Sequence, residues 1–233
     1  MRDRIQEELD AIDQYLEVVE TGDDGQYYYQ YGDEKRLVEQ EDVVIPYRKE
    51  GQILEQSFTI YRTHHGPIIG EKDGKWVAFR MMHRPTDALI QDFQRTKAKG
   101  YRDFRKSMKL RTNSSNNTVF ADRRGTIAYW HGNYIPKRNP NYSYDDYVDG
   151  SDPAQDWDGL HELKEIIRLR NPKSGWLQNC NSTPFTASAD SDNPTASDYP
   201  RYMAPDLENF RGVQAREELG SRMAFTLDSL ILV

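Results

Sequence analysis

The chain has 233 residues, enough for one large domain or two small ones with a buried core. Its formal net charge is −7 with both signs interspersed, which disfavours a nucleic-acid partner, and no apolar run is long enough to predict a membrane helix. The most basic stretch, residues 95–111, has the spacing of a solvated amphipathic helix rather than of a nucleic-acid surface. One cysteine, Cys180, excludes an internal disulfide and any multi-cysteine metal site.

The first third of the chain is predicted to contain one helix followed by strands. Apolar residues recur at three- and four-residue steps between residues 3 and 20, which predicts an amphipathic helix. From residue 26 onward, aromatic and β-branched runs are broken by Gly and Asp, a pattern typical of strands joined by hairpin turns. The predicted strands lie at residues 26–31, 36–48 and 53–63, followed by the segment 63–70 and a strand at 76–82.

Helical spacing returns in the middle of the chain. Asp87 is the predicted N-cap of a helix over residues 88–99, and Gly100 separates this helix from a second one over residues 101–110. Residues 116–132 then contain two strand-like runs around an Asp-Arg-Arg-Gly turn, which predicts a hairpin.

The last hundred residues are predicted to be mostly irregular. Residues 133–158 are dense in Pro, Asn, Asp and Gly, which indicates a long ordered loop, and loops of this length are usually functional or flexible. Beyond it, the pattern predicts a helix at 160–169, a short strand at 175–181, a polar stretch at 182–199, a helix at 214–223, and a further helix capped by Thr226.

Histidines and acidic residues offer weak metal signals. His64 and His65 lie at the end of a predicted strand, where neighbouring side chains point to opposite faces, so a structural role is favoured over a shared metal. The same interpretation applies to the scattered residues His83, His131 and His161. The acidic loop at 145–159 carries oxygen ligands of the kind that Ca²⁺ prefers but lacks the EF-hand register, which favours a solvated loop.

Two asparagines form the candidate site for hydrolytic chemistry. Asn179 and Asn181 alternate in the predicted strand at 175–181, so their amides are expected on one side. A rigidly held amide at a strand end can donate a hydrogen bond to an oxyanion, although an asparagine there can equally tie down a loop. The sequence contains no GxSxG elbow, HExxH helix, Walker loop or GxGxxG turn that would indicate another chemistry.

Over roughly residues 55 to 220, the chain resembles the penicillin amidase family of N-terminal nucleophile hydrolases. The resemblance rests on ordered motifs rather than on one short match. They are an Arg-Thr-x-His-Gly strand at 62–66, a hairpin with the pattern A-D-x-x-G-x-I-x-Y at 121–129, a Trp-Asp loop at 156–159, an N-P-x-S-G segment at 171–175, and the N-x-N element at 179–181.

The resemblance implies an α+β fold, part of an αββα sandwich, in which residues 1–233 are part of one catalytic domain. It places the nucleophile, usually a Ser whose own α-amino group acts as base, upstream of residue 1, with further family sequence beyond residue 233. The implied activity is cleavage of small acyl amides, with the chain alone inactive. The implied partners are the α chain and an upstream segment of the β chain of the same protein. Neither a nucleic acid nor a membrane is an expected partner. The implied location of the protein is periplasmic or secreted.

The resemblance also assigns site residues. Asn181 matches the side-chain oxyanion donor, and Arg211 matches an arginine that supports the site, with Arg216 as a second candidate. A structural Ca²⁺ is implied, with Asp3 and Asp206 as ligands. Two alternatives stay open: a non-catalytic binding module that holds a sugar or peptide on the tyrosines of loop 142–147, and a degenerate family member that has lost its nucleophile.

Overall fold

The computed structural model describes residues 11–114, 116–222 and 224–231. The described chain forms two compact units. The sheet unit consists of Ile12–Met81 and Arg138–Asp158, and the mixed unit consists of residues 82–137 and 159–231. Among the described residues, no helix has both the length and the apolar character needed to cross a membrane.

The described strands, in chain order, are β1 (Asp13–Glu17), β2 (Val19–Thr21), β3 (Tyr27–Tyr31), β4 (Glu34–Leu37), β5 (Glu39–Lys49), β6 (Gln52–Thr63), β7 (Gly66–Lys72), β8 (Lys75–Arg80), β9 (Thr118–Ala121), β10 (Ile127–Trp130), β11 (Val148–Asp149) and β12 (Arg168–Arg170). The described helices are α1 (Pro85–Lys97), α2 (Tyr101–Met108), α3 (Phe210–Gly220) and α4 (Leu227–Ile231). The fold is therefore a mixture of α and β structure.

The sheet unit contains a six-stranded sheet with the order β11-β1-β8-β7-β6-β5 and a three-stranded sheet with the order β2-β3-β4. Strand β11 runs parallel to β1, and the other pairs are antiparallel. Tyr15 lies opposite both Val148 and Ala78, and these three residues pack with Tyr144 into the core of the unit. The strands and hairpin turns predicted between residues 26 and 82 are confirmed.

The helix predicted for residues 3–20 is wrong wherever the structure describes it. Residues 13–17 form β1 and residues 19–21 form β2, and residues 3–10 lie outside the described part of the chain. In β1 the buried positions are Asp13, Tyr15 and Glu17, which is the two-residue period of a strand. Pairing with β8 on one edge and β11 on the other decides the conformation, because tertiary hydrogen bonds override a local helical pattern.

The mixed unit contains α1, α2 and a three-stranded sheet with the order β12-β10-β9. Its core is a cluster of buried side chains from these elements and from the segments around them: Met108, Ala128, Trp130, Ile135, Leu163, Ile166, Ile167 and Met203. The two predicted helices and the hairpin at 116–132 are confirmed. The N-cap prediction is wrong, because α1 begins at Pro85 and Asp87 instead accepts hydrogen bonds from the Arg84 guanidinium.

Two predictions in the last third of the mixed unit are also wrong. Residues 160–169 contain no helix; Leu163 and Ile167 are buried in the core, and residues 168–170 extend to pair with β10. Residues 175–181 form no strand, since the chain turns there. The predicted helix at 214–223 is present as α3, and the predicted helix capped by Thr226 is present as α4, where Thr226 Oγ1 accepts from Ser229 N at 3.1 Å.

Candidate functional site

The backbone around Asn181 is held by side chains instead of by a neighbouring strand. Asn181 has φ of 55°, a left-handed conformation that asparagine tolerates better than most residues. Asn209 Nδ2 donates to the carbonyl oxygens of Cys180 and Asn181, each at 3.0 Å, and Asn181 N donates to Asn179 Oδ1 at 3.2 Å. These bonds fix the turn, so the Asn181 side chain leaves the backbone in a defined direction.

The Asn181 side chain is exposed, and its orientation is set by Arg211. The Arg211 Nη2 atom donates to Asn181 Oδ1 at 3.1 Å. Because a guanidinium has donors only, the amide atom that faces it must be the oxygen. The Nδ2 group therefore points away from Arg211, and among the described residues it has no hydrogen-bond partner.

Arg211 reaches Asn181 because α3 starts beside it. Asn209 is the N-cap of α3, and its Oδ1 accepts from Gly212 N at 2.9 Å. At Gly212 the helix approaches Ser182 so closely that a Cβ would lie 2.6 Å from Ser182 Oγ. The Asn209 cap and the close contact of Gly212 with Ser182 therefore fix the start of α3, which places Arg211 beside Asn181.

The second arginine candidate is placed elsewhere. Arg216 Nη1 lies 3.4 Å from Asp190 Oδ1, and side chains of both residues are partly or largely exposed. Of the two arginines that the sequence offered, the structure brings Arg211 to Asn181.

An open cavity of about 530 Å³ lies near the same turn in the mixed unit. It is lined by Arg95, Thr96, Phe104, Asn113, Asn116, Asn117, Thr118 and Val119. Asn117 Nδ2 donates to Asn179 Oδ1 at 3.3 Å, and the same oxygen accepts from Asn181 N. Asn179 therefore connects the wall of the cavity to the backbone of the candidate oxyanion donor.

The structure describes only one of the two predicted calcium ligands. Asp3 lies outside the described residues. Asp206 Oδ2 lies 3.7 Å from His131 Nε2, a nitrogen, whereas Ca²⁺ takes six to eight oxygen ligands. Calcium binding stays a prediction.

A second polar site lies in the sheet unit, where the expectation that the His64 and His65 side chains point to opposite faces is wrong. His64 and His65 form the two-residue turn between β6 and β7, so the alternation of side chains along a strand does not apply to them. Their ring centroids are 3.8 Å apart. The turn is enforced by Gly66, whose φ of 142° and whose contact with Phe79 O, 2.2 Å from an added Cβ, leave no room for a side chain.

His65 is buried between two carboxyl groups. Its Nδ1 lies 2.8 Å from Glu17 Oε1, and its Nε2 lies 2.7 Å from Asp156 Oδ1, while Tyr15 stacks on the ring. Burial lowers the pKa of His65, but the hydrogen bonds to Asp156 and Glu17 outweigh it, so that the pKa is raised above 6.5. The two carboxyl groups therefore favour the doubly protonated ring over the neutral one.

Asp156 collects four donors from different parts of the sheet unit. Its Oδ1 accepts from His65 and from Arg80 Nη1 at 3.2 Å, and its Oδ2 accepts from the Tyr31 hydroxyl at 2.6 Å and faces His64 Nε2 at 3.4 Å. Burial raises the pKa of Asp156, but the bonds from His64, His65 and Tyr31 hold it far below its usual range. The carboxylate is thus ionised and fully hydrogen-bonded.

We call the side chains of Glu17, Tyr29, Tyr31, His64, His65, Arg80 and Asp156 the histidine cluster. Sequence analysis treated Asp156 as part of a solvated loop and missed this grouping. The available signal was the family resemblance, because the strand motif at 62–66 and the Trp-Asp motif at 156–159 meet in this cluster.

The tyrosine-rich loop is largely occupied by internal contacts of the sheet unit. Tyr144 is buried, and its hydroxyl donates to the carbonyl oxygen of Gln155 at 3.1 Å. Lys72 Nζ lies 3.8 Å from the centre of the Tyr147 ring. These contacts give no support to a sugar or peptide site on the loop.

Comparison with known proteins agrees with the motifs. The sequence model described as penicillin amidase matches residues 7–233, so the chain belongs to the penicillin amidase family. It is 25% identical over 179 residues to penicillin G acylase of Escherichia coli, a match that covers 75% of this chain. The chain spans about a fifth of the length of that relative, since the match covers 20% of it.

Among solved structures, the fold is similar to that of a thermostable penicillin G acylase from Alcaligenes faecalis in an orthorhombic form. The TM-score is 0.70 at 21% sequence identity, and the match covers 94% of this chain and 37% of the other. At this identity the likeness concerns the fold alone.

Proposed function

We propose that the protein to which this chain belongs hydrolyses acyl amides, and that Asn181 Nδ2 donates a hydrogen bond to the carbonyl oxygen as it becomes negative. Membership of the penicillin amidase family supports the reaction class. The observation that carries the residue assignment is the 3.1 Å bond from Arg211 Nη2 to Asn181 Oδ1, which turns the amide so that its NH₂ group is free to donate.

In this proposal the two residues have different roles. Asn181 is a catalytic residue, because its Nδ2 would contact the reacting carbonyl oxygen, and donors of this kind act by stabilising charge that develops in the transition state. Arg211 is a positioning residue that acts through the amide oxygen. Its positive charge also polarises the amide and strengthens the Nδ2 group as a donor.

The attacking hydroxyl, its base and a second oxyanion donor belong, in the same proposal, to polypeptide outside these 233 residues. The sandwich of four layers, the single catalytic domain, the export of the protein and the structural Ca²⁺ are parts of this proposal that follow the family. The isolated chain is then expected to show no amidase activity, whereas the full protein turns over a series of acyl amides of different chain length.

The test of the Asn181 role is a substitution that keeps the backbone. Alanine is strained at φ of 55°, but glycine adopts this conformation without cost, so Asn181→Gly removes the amide alone. In the full enzyme we expect kcat to fall about 10²- to 10³-fold with little change in KM. Asn181→Asp, which keeps an oxygen for Arg211 but loses the donor, is expected to lose activity as well.

The matched control is Asn171→Gly. Asn171 has φ of 48° and an exposed side chain whose Oδ1 accepts from Ile127 N, and it has no role in the proposed chemistry. This variant should keep kcat. If Asn181→Gly also kept kcat within about threefold of the unchanged enzyme, Asn181 would not be an oxyanion donor.

Arg211→Met tests the positioning role. Without the guanidinium, the Asn181 amide can rotate, so we expect kcat to fall by about tenfold, less than in Asn181→Gly. The double variant should resemble Asn181→Gly alone, because both changes remove the same interaction. Additive losses would show that Arg211 acts independently of Asn181.

A further inference from the structure

Three side chains of the histidine cluster are placed as the ligands of one metal ion would be. Ligand atoms of His64, His65 and Asp156 lie within 4.8 Å of one another. His64 Nε2 and His65 Nε2 both face the Asp156 carboxylate, at 3.4 Å and 2.7 Å. In a tetrahedral zinc site with Zn–N of about 2.0 to 2.1 Å, neighbouring ligand atoms lie about 3.3 Å apart, so small movements would admit an ion.

The other nitrogen of each ring is also engaged. His65 Nδ1 lies 2.8 Å from Glu17 Oε1, and His64 Nδ1 lies 3.0 Å from the Tyr29 hydroxyl. Histidines that bind metals almost always use the second ring nitrogen in this way, since the outer hydrogen bond fixes the tautomer and the direction of the ring. Here both rings are oriented so that Nε2 is the nitrogen offered to a ligand.

Access from solvent comes from one side. The side chains of His64 and Asp156 are 27% and 22% exposed, whereas those of His65 and Glu17 are buried. An ion could therefore enter between His64 and Asp156 and find His65 behind them. Two nitrogens and one carboxylate oxygen suit Zn²⁺ and similar transition ions better than Ca²⁺ or Mg²⁺, which prefer oxygen alone.

The geometry points to a site for a divalent transition-metal ion in the sheet unit. Its ligands are His64 Nε2, His65 Nε2 and the Asp156 carboxylate, and Glu17 and Tyr29 hold the two histidine rings through hydrogen bonds to Nδ1. The ion used to test the site is Zn²⁺. Where His65 carries a proton on Nε2, the ion replaces it and the proton leaves to solvent, while the other proton stays on Nδ1 and is donated to Glu17 Oε1. Water fills the fourth position. The ligands of this site belong to the sheet unit, whereas Asn181 belongs to the mixed unit.

The positive charge of Arg80 would repel a metal ion bound to Asp156, so a variant of Arg80 tests whether the cluster binds metal. Its Nη1 donates to Asp156 Oδ1 at 3.2 Å, and its guanidinium lies 4.5 Å from the Trp157 ring. A like charge beside the carboxylate weakens metal binding. Arg80→Gln should therefore tighten Zn²⁺ binding by about threefold or more, whereas in a purely structural cluster it would only remove a hydrogen bond.

The experiment is calorimetric titration of ZnCl₂ into the untagged protein after removal of metals with a chelator. We expect one ion per chain, and binding at least tenfold weaker in His64→Ala and Asp156→Asn. Tyr29→Phe removes only the outer partner of His64 and should weaken binding by about tenfold. His83→Gln, a change at an exposed histidine outside the cluster, should bind like the unchanged protein.

Circular dichroism of each variant checks that it is folded. If Asp156→Asn fails to fold, Tyr29→Phe and Arg80→Gln decide the question, because neither removes a proposed ligand. Failure to observe saturable binding would overturn the proposal, and so would a zinc affinity that is unchanged in His64→Ala and Tyr29→Phe. Amidase activity is not part of the readout, so the outcome is independent of the role of Asn181.

Discussion

The two polar sites of this chain differ in how their hydrogen-bonding groups are used. In the histidine cluster, both Asp156 oxygens are engaged and His65 is buried between two acceptors. At Asn181, one half of an exposed amide is held by Arg211 and the other half is left to donate. Substitution of a buried, fully hydrogen-bonded group should therefore lower mainly the free energy of unfolding. Substitution of an exposed donor that is oriented but not hydrogen-bonded should lower mainly kcat.

Among substitutions of buried, paired groups, Arg138→Leu in the sheet unit is expected to have the largest effect on stability. Arg138 Nε donates to Asp13 Oδ2 at 2.8 Å, and both side chains are completely buried. Removing the arginine leaves the buried Asp13 carboxyl group without an opposite charge, with the Trp157 indole as a remaining donor, which should lower the free energy of unfolding by about 3 to 5 kcal/mol in urea denaturation. Changing both residues, as in Asp13→Leu with Arg138→Leu, should recover much of this loss; an equally unstable double variant would contradict the explanation.

Gly212→Ala tests whether close packing of α3 presents Arg211. The added Cβ would lie 2.6 Å from Ser182 Oγ and 2.5 Å from Glu208 Oε1, so we expect a loss of about 1 to 3 kcal/mol in the free energy of unfolding. Activity of the full enzyme should fall as well, because Arg211 is adjacent. Gly220→Ala is the control: it is in the same helix, has no atom within 4 Å of the added Cβ, and should be neutral or stabilising.

The protonated state of His65 predicts how stability depends on pH. Its pKa in the folded chain is raised above 6.5, so the proton stabilises the folded state below pH 6.5, and this contribution is lost as pH rises through the folded pKa. Within that window the free energy of unfolding should fall by at most about 1.4 kcal/mol per pH unit.

Other groups face His65 as well: Glu17, Tyr15, Tyr31, His64, Arg80 and Asp156. Asp156 makes stability depend on pH only in the acid range: its pKa is lowered, so its stabilisation is complete at neutral pH and is lost as pH falls towards the folded pKa. His65→Gln should therefore flatten the slope above pH 6.5. Thermal denaturation from pH 6 to pH 9 measures it, and a stability that increases over this range would refute a protonated His65.

The smallest expected effect on stability is that of Asn181→Gly. The side chain is exposed, and its contact with Arg211 lies at the surface, so the free energy of unfolding should change by less than about 1 kcal/mol. A larger loss in urea denaturation would mean that Asn181 mainly holds the turn, and the contrast between the two sites would disappear.

The sequence by itself determined the elements whose signals are local. The strands between residues 26 and 82, the two helices after Arg84 and the hairpin at 118–130 follow from residue periods and turn residues that their neighbours reinforce. The ordered motifs identified the family and singled out Asn181, and they left Arg211 and Arg216 as alternatives for the supporting arginine. Local signals also misled: the spacing of apolar residues in 3–20 is helical, but residues 13–17 become a strand because two other strands pair with them.

Only the tertiary structure decided how distant residues meet. His65 and Asp156 are 91 positions apart, and Arg211 is 30 positions from Asn181, so no local period could predict either contact. The turn at 64–65 brings two adjacent histidines to the same carboxylate, which an extended strand would have prevented. A hydrogen bond depends on both partners and their orientation; the sequence specifies the partners, and packing of the elements sets the orientation.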